Sequence, residues 1–115
     1  MSTKLMKRAD RAKRQVHLCG RVNVSGGTPS VAKGSGFTVA DTAAGKVTIS
    51  FTKPGRNLIS AIATPIENTD ATGYSAKIMG TPDGSSIVVG TYVADATDGA
   101  LADNISFYFS VVLEF

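Results

Sequence analysis

Hydrophobic residues occupy every second position over residues 105–115, which close the sequence. They are Ile105, Phe107, Phe109, Val111, Leu113 and Phe115. Successive side chains of a β-strand point to opposite faces, so this period predicts a strand with one buried face. Because Phe115 keeps the alternation, we expect the strand to be buried up to its last residue. Trimming it should therefore disrupt the fold.

Further segments have the composition of strands and are separated by turn-forming residues such as Thr81-Pro82-Asp83-Gly84. These segments cover residues 16–24, 37–40, 46–52, 58–66, 74–78 and 87–93. Turns are predicted at 41–45 and 53–56, and a glycine-rich loop with positive φ is predicted at 26–36. The pattern predicts an all-β fold, an antiparallel two-sheet sandwich of the jelly-roll-like kind with about seven or eight strands.

Segment 58–66 differs from the other predicted strands because it is apolar on both faces. A strand of this kind lies either in the centre of a sheet or beneath a partner. Both alternatives stay open at the level of sequence.

The first fifteen residues lack the two-residue period of the rest of the chain. Leu5 and Ala9 recur at helical spacing, but the apolar stripe is thin, and Lys4 would lie at the positive end of a helix dipole. We predict a basic N-terminal arm or short helix over residues 1–15, ordered by a partner, and a β-sandwich domain over residues 16–115.

Charge divides the chain in the same way. Residues 1–22 contain seven Lys and Arg residues and one Asp, a net charge of +6, whereas residues 23–115 carry five basic and eight acidic residues, a net charge of −3. A basic arm of this kind contacts an acidic protein surface, another subunit or nucleic acid. The predicted partner-binding residues are Lys4, Leu5, Met6, Lys7, Arg8, Arg11, Lys13 and Arg14.

The sequence offers little catalytic chemistry. His17 and Cys19 are its single histidine and single cysteine, and no Gly-x-Ser-x-Gly motif is present. We therefore predict a protein that is not an enzyme, with no catalytic residue, no metal site and no cofactor. His17 is interpreted as structural or interfacial, and Cys19 as a small, partly buried hydrophobic residue.

Three weaker patterns are interpreted without a ligand. The glycine-rich stretch has Ala32 where a phosphate-binding loop needs glycine before Lys33. The acidic residues within 95–103 do not match a calcium loop and are predicted to be solvated. Tyr74, Tyr92 and Tyr108 could contact sugars but are more typical of strand packing.

No apolar run is long enough for a transmembrane helix, and no secretory signal is recognised, so we expect synthesis in a cytoplasm and no membrane partner.

Several strand motifs resemble those of a known family. They are GRV at residues 20–22, KGSGFTV at 33–39, GKVTISF at 45–51 and DNISFYF at 103–109. Together they resemble small jelly-roll structural domains of tailed bacteriophages, which occur in tail fibres and as capsid decoration (cement) proteins. The resemblance implies a virion component, often a trimer or dimer, with no catalytic residues to transfer. A short basic arm in place of a long shaft favours the decoration protein.

The leading hypothesis is therefore a virion protein, assembled in the host cytoplasm, that docks on the major capsid (coat) protein and stabilises the shell. It would act as a homo-oligomer, which increases avidity. One alternative is a receptor- or glycan-binding tail module. Another is an internal structural protein that contacts DNA through the basic arm, with salt-dependent affinity.

Overall fold

The structure is a computed structural model, and it describes residues 14–25, 27–43, 45–66, 74–93, 100–101 and 105–115. Every regular element in these residues is a β-strand, and eight of the strands have six or more residues. Their bounds are β1 Gln15–Ser25, β2 Thr28–Lys33, β3 Phe37–Ala43, β4 Lys46–Phe51, β5 Asn57–Pro65, β6 Tyr74–Met79, β7 Ser86–Val93, β8 Ala100–Leu101 and β9 Phe107–Glu114. The predicted all-β class is confirmed.

The strands form two antiparallel sheets. Sheet A has the order β2-β1-β9-β5, and sheet B has the order β3-β4-β7-β6, with β8 also paired to β7. Each sheet has one face on the shared core, as a two-sheet sandwich requires. The sandwich is confirmed, but the narrower jelly-roll prediction is not. Three pairs of strands that follow each other in the sequence also pair with each other within one sheet. They are β1 with β2, β3 with β4 and β6 with β7. A jelly roll is built from two Greek keys.

The core lies between β4 and β7 of sheet B and β1 and β9 of sheet A. Its buried members are Val22, Phe37, Val47, Ile49, Phe51, Ile87, Val89, Phe107, Phe109, Val111 and Leu113. The rings of Phe37 and Phe109 pack edge to face, with centroids 4.7 Å apart. A glycine is required beneath them, because a Cβ on Gly20 would lie 2.4 Å from the Phe37 ring.

The last strand has one buried face, as its alternation predicted, and it lies in the interior of sheet A. β9 pairs with β1 on one side and with β5 on the other. Its four inward residues from Phe107 to Leu113 are at most 3% exposed. Phe115 is half-buried, and its backbone N–H donates to the carbonyl oxygen of Arg14 at 2.8 Å. The two ends of the described chain therefore lie side by side.

The predicted loop at 26–36 is wrong over most of its length, because β2 occupies Thr28–Lys33. Pro29 is tolerated there because β2 is an edge strand, where a missing N–H breaks no sheet pairing. The flanking glycines do adopt positive φ, 82° at Gly27 and 101° at Gly34.

Two other predicted connections are also partly strand. β3 continues through Asp41–Ala43, where a turn was predicted, and its register shifts there in a bulge. β8 lies within the predicted loop 95–103, and the acidic residues of that loop fall outside the described residues.

The predicted hairpin between β6 and β7 is confirmed by their antiparallel pairing. Asp83 organises its turn, because its Oδ1 accepts hydrogen bonds from the backbone N–H groups of Ser85 at 2.8 Å and Ser86 at 3.0 Å. These two donors stabilise the carboxylate and lower the pKa of Asp83 below its ordinary value.

Candidate interaction surface

The predicted arm residues lie almost wholly outside the described part of the chain. Lys4, Leu5, Met6, Lys7, Arg8, Arg11 and Lys13 are not described, so their predicted role stays a prediction. Arg14 is described and is exposed immediately before β1. It lines a groove of about 280 Å³ together with Val16, Leu18 and Phe115. The arm therefore joins the sandwich beside a partly apolar groove.

The solvent-facing side of sheet A, here called the outer face, is built from rows of residues in register across β1, β9 and β5. Arg21, Tyr108 and Thr64 form the first row, and Cys19, Ser110 and Ile62 form the second. His17, Val112 and Ser60 form the third row, and Gln15, Glu114 and Asn57 form the fourth. The middle of this face is apolar or small, and its charges lie at the two ends.

β5 accounts for much of the apolar exposure. The sequence left open whether this segment is central or lies beneath a partner, and the structure places β5 at the edge of sheet A. Ile62 is 64% exposed, and Ile59, beside a register shift between Leu58 and Ser60, is 48% exposed. Clustered large apolar residues on a sheet face are typical of an interaction surface.

One end of the outer face carries an oriented cation. The Arg21 guanidinium carbon lies 5.7 Å from the centroid of the Tyr108 ring, and its Nε–H donates to Asn23 Oδ1 at 3.2 Å. Stacking and this hydrogen bond orient the guanidinium, and its two NH₂ groups donate to no other atom of the described residues.

Lys33 lies directly across from Arg21 in the pairing of β2 with β1. Like charges in that position repel each other. Within the described residues, neither cation forms an ion pair with a carboxylate. Beside them is an open depression of about 310 Å³, lined by Gly34 and Cys19 among others. A Cβ on Gly34 would lie 2.6 Å from the Cys19 carbonyl oxygen, so a larger residue does not fit there.

The other end of the outer face carries a carboxylate. Glu114 ends β9, and its Oε1 accepts a hydrogen bond from Asn57 Nδ2 at 2.9 Å. The Tyr108 and Glu114 rows are six residues apart, about 20 Å at the usual rise per residue of a strand. The exposed Arg14 and Arg56 adjoin the same row, so this end of the outer face carries charges of both signs.

The exposed side of sheet B is less suited to docking. Lys77 Nζ lies 5.2 Å from the Tyr92 ring centroid, and the Tyr92 hydroxyl donates to Met79 Sδ at 3.5 Å. Gly90 is buried beside Met79, which closes the surface between β6 and β7. Lys77 and Tyr92 resemble Arg21 and Tyr108 in chemistry and provide a control for experiments on the outer face.

Neither His17 nor Cys19 belongs to a reactive group of side chains in the structure. His17 is exposed on β1, and no hydroxyl or carboxylate of the described residues bonds to its ring. Cys19 is exposed, so its predicted partial burial is wrong, because it lies on the outward side of β1.

In the described ranges, no three His, Cys, Asp or Glu side chains come close enough to hold a metal ion, and none of those ranges forms a helix able to cross a membrane.

The residues that give the outer face its character were not singled out by sequence reasoning. Arg21 and Lys33 were counted only as charges, and Glu114 was read only as a polar position of the last strand. Only the pairing register brings Arg21 beside Tyr108 and places Glu114 at the opposite end. The one available signal was the apolar outward side of segment 58–66.

Comparison with known proteins adds no assignment. No protein-family model, no curated protein and no solved structure matches the chain.

Proposed function

We propose that this protein is a non-enzymatic structural component of a virus particle, a capsid decoration protein that docks on coat subunits and stabilises the shell. The observation that carries the proposal is the outer face of sheet A, where Ile62 is 64% and Tyr108 is 50% exposed on an otherwise well-packed sandwich. Such a surface fits a protein whose work is to bind other proteins.

The basic arm supplies the contact with the coat in this proposal. Its net charge of +5 over residues 1–15, from six basic residues and Asp10, favours an acidic surface, and it joins the sandwich at Arg14, beside the groove that Phe115 lines. Side chains of the arm would lie along or between coat subunits. The jelly-roll-like description belongs to the phage resemblance, and the proposal requires only a rigid β-sandwich body.

The decisive experiment locates the protein on a particle. Particles purified from the natural source of the chain should show the sandwich on the outside of the shell by electron cryomicroscopy. Purified full-length chain should also bind shells stripped of it, whereas a chain lacking residues 1–14 should stay folded, by circular dichroism, and lose binding. A truncated chain that binds as well as the full chain would refute the role of the arm.

A matched charge test separates the arm from general basicity. Lys4→Gln with Lys7→Gln in the arm should weaken binding to shells, while Lys46→Gln with Lys77→Gln, on the exposed side of sheet B, should leave binding unchanged. Equal loss in both variants would mean that only the total charge matters. Steep salt-dependent binding to DNA, carried by the same arm residues, would instead favour the internal DNA-contacting protein.

A receptor- or glycan-binding tail module is the second candidate. It is favoured by the exposed Tyr108 ring beside an open depression of about 310 Å³, an arrangement that suits stacking against a sugar. A glycan array with the wild-type chain and Tyr108→Ala tests this candidate. Signals that disappear in the variant, together with no effect on shells, would replace the decoration proposal.

A further inference from the structure

We propose that the first half of β1 accepts an added β-strand from a partner protein, an extended segment in which acidic and apolar residues alternate. The site is the free edge of β1 together with the groove of about 280 Å³ that Arg14 and Phe115 line. Pairing with an unpaired sheet edge is a common way for a protein to bind an extended peptide. The proposal goes beyond the proposed function, because it concerns the sandwich and holds for whichever protein supplies the segment.

The edge of β1 lacks a neighbouring strand over half of its length. In the described residues β2 pairs only with Arg21–Ser25, so the earlier residues of β1 have a partner strand only on the β9 side. On that side the Arg14 carbonyl oxygen accepts a hydrogen bond from Phe115. Because backbone groups of successive strand residues point in opposite directions, the N–H groups of Gln15 and His17 point away from β9. No acceptor of the described residues bonds to them, so they can donate to an added strand.

The apolar side chains beside this edge are incompletely covered. Val16 and Leu18 of β1 and Phe115 point inward but are only partly buried, whereas the inward residues of β9 from Phe107 to Leu113 are at most 3% exposed. The groove continues past Gly36, which has no side chain to fill it. An added strand of about four residues, about 13 Å long, would place its inward side chains in this groove. Apolar residues at those positions would gain hydrophobic burial.

The charges around the edge select an acidic segment. Arg14 and Lys53 line the groove, and Lys53 Nζ lies 5.4 Å from the centroid of the Phe115 ring. Arg21 and Lys33 lie at the other end of the free edge, where β2 leaves β1. No carboxylate of the described part of the chain lines the groove. Carboxylates at the outward positions of an added strand would therefore meet cations at both of its ends.

The acidic and basic groups of the chain itself are less suitable partners for this edge. Glu114 lies on the outer face, where Asn57 of β5 holds its Oε1, and the exposed Arg56 adjoins it. This carboxylate is thus held on the side of β9 that is remote from the free edge. The basic arm carries a net charge of +5 over residues 1–15 and would bring further cations to those that line the groove. A segment of another protein fits the site better than the arm does.

Hydrogen exchange and peptide binding on the full-length chain test the proposal. The probe is a ten-residue peptide of alternating Glu and Val, and its matched control has Lys in place of each Glu. The His17 amide should exchange rapidly in the free chain, and saturating Glu–Val peptide should slow its exchange at least about tenfold. The Val16 amide, which points to β9, should be slow with or without peptide. The Lys–Val peptide should bind at least about tenfold more weakly than the Glu–Val peptide.

Two variants at one position separate strand pairing from side-chain contact. His17→Pro removes the N–H that faces the free edge and none that donates to β9, and proline is tolerated at a sheet edge. It should raise the dissociation constant of the Glu–Val peptide at least about tenfold, while His17→Ala, which keeps the N–H, should stay within about twofold of wild type. Lys53→Glu should weaken binding by about tenfold. Lys77→Glu, the matched change of a lysine beside an aromatic ring on sheet B, should have no effect.

Four outcomes would overturn the proposal. They are no binding of the Glu–Val peptide at millimolar concentration, equal binding of the Lys–Val peptide, a folded His17→Pro variant that binds like His17→Ala, and slow exchange of the His17 amide in the free chain. The last result would show that a segment of this chain already covers the edge. Melting temperatures are measured first, and if His17→Pro does not fold, Lys53→Glu and the exchange of the His17 amide decide. Binding to shells is measured separately, so peptide binding without shell binding refutes only the proposed function.

Discussion

Two neighbouring residues of β9 should respond in opposite ways to the same substitution. Phe109 is 3% exposed and packs edge to face on Phe37, whereas Tyr108 is 50% exposed and contacts Arg21 on the outer face. Phe109→Ala should destabilise the sandwich strongly and leave the chemistry of the outer face intact. Tyr108→Ala should alter the chemistry of the outer face and destabilise the sandwich only slightly.

The expected magnitudes follow from burial. Removing a buried Phe costs about 3–5 kcal/mol, and loss of an aromatic pair adds about 1 kcal/mol, so Phe109→Ala should lower the free energy of unfolding by about 4–6 kcal/mol. For a chain of 115 residues the total free energy of unfolding is roughly 6–17 kcal/mol. Tyr108→Ala removes the buried half of the ring and one exposed cation–π contact, so it should lower the free energy of unfolding by about 1–2 kcal/mol.

Urea unfolding followed by circular dichroism measures both values. With a slope of about 1.5 kcal/mol per molar urea, Phe109→Ala should lower the midpoint by roughly 3 M, and Tyr108→Ala by roughly 1 M or less. Equal midpoint shifts for the two variants would show that the assignment of faces along β9 is wrong.

Three further predictions concern the frame of the sandwich. Gly84→Ala should destabilise by about 1–3 kcal/mol in thermal unfolding, because its Cβ would lie 2.2 Å from the backbone oxygen of Gly55; an unchanged melting temperature would contradict this close approach. Asp83→Ala should lower the melting temperature at pH 7. Because the folded pKa of Asp83 is lowered, its stabilisation is present above the ordinary aspartate pKa and is lost as the pH falls below it. The difference from wild type should therefore shrink towards pH 2, and a constant difference would argue against a role for the charge. Deleting residues 107–115 removes the strand between β1 and β5 and should abolish cooperative unfolding; a cooperative transition in that variant would show that β9 is dispensable.

The sequence predicted which residues face the core better than it predicted which strands are neighbours. The alternation in β9 identified Phe107 and Phe109 as inward residues, because a two-residue period encodes the face of a strand directly. It does not encode pairing, which depends on contacts between distant segments. The jelly-roll-like topology was therefore not confirmed by the strand order, although the two-sheet sandwich was.

β2 was missed for a different reason. Its sequence, Thr28–Lys33, includes Pro29 and lies between glycines, which favours a loop on local criteria alone. The strand exists because β1 is long enough to offer Arg21–Ser25 as a template for an edge strand. The placement of the charges on the outer face was missed for a related reason, since the rows that hold Arg21 and Glu114 exist only once β1 and β9 are paired.

The hydrogen bond between Phe115 and Arg14 also has a use in protein engineering. The first and last long strands are adjacent and antiparallel, so a short linker from residue 115 to residue 14 would convert β9 and β1 into an ordinary hairpin. New termini could then be opened in the exposed stretch at Gly80–Asp83, which precedes the contact of Gly84 with Gly55. Because Arg56 bonds to Glu114 on the other side of Gly55, such a permuted chain would present fused cargo at the same end of the sandwich as Arg14, through a different loop.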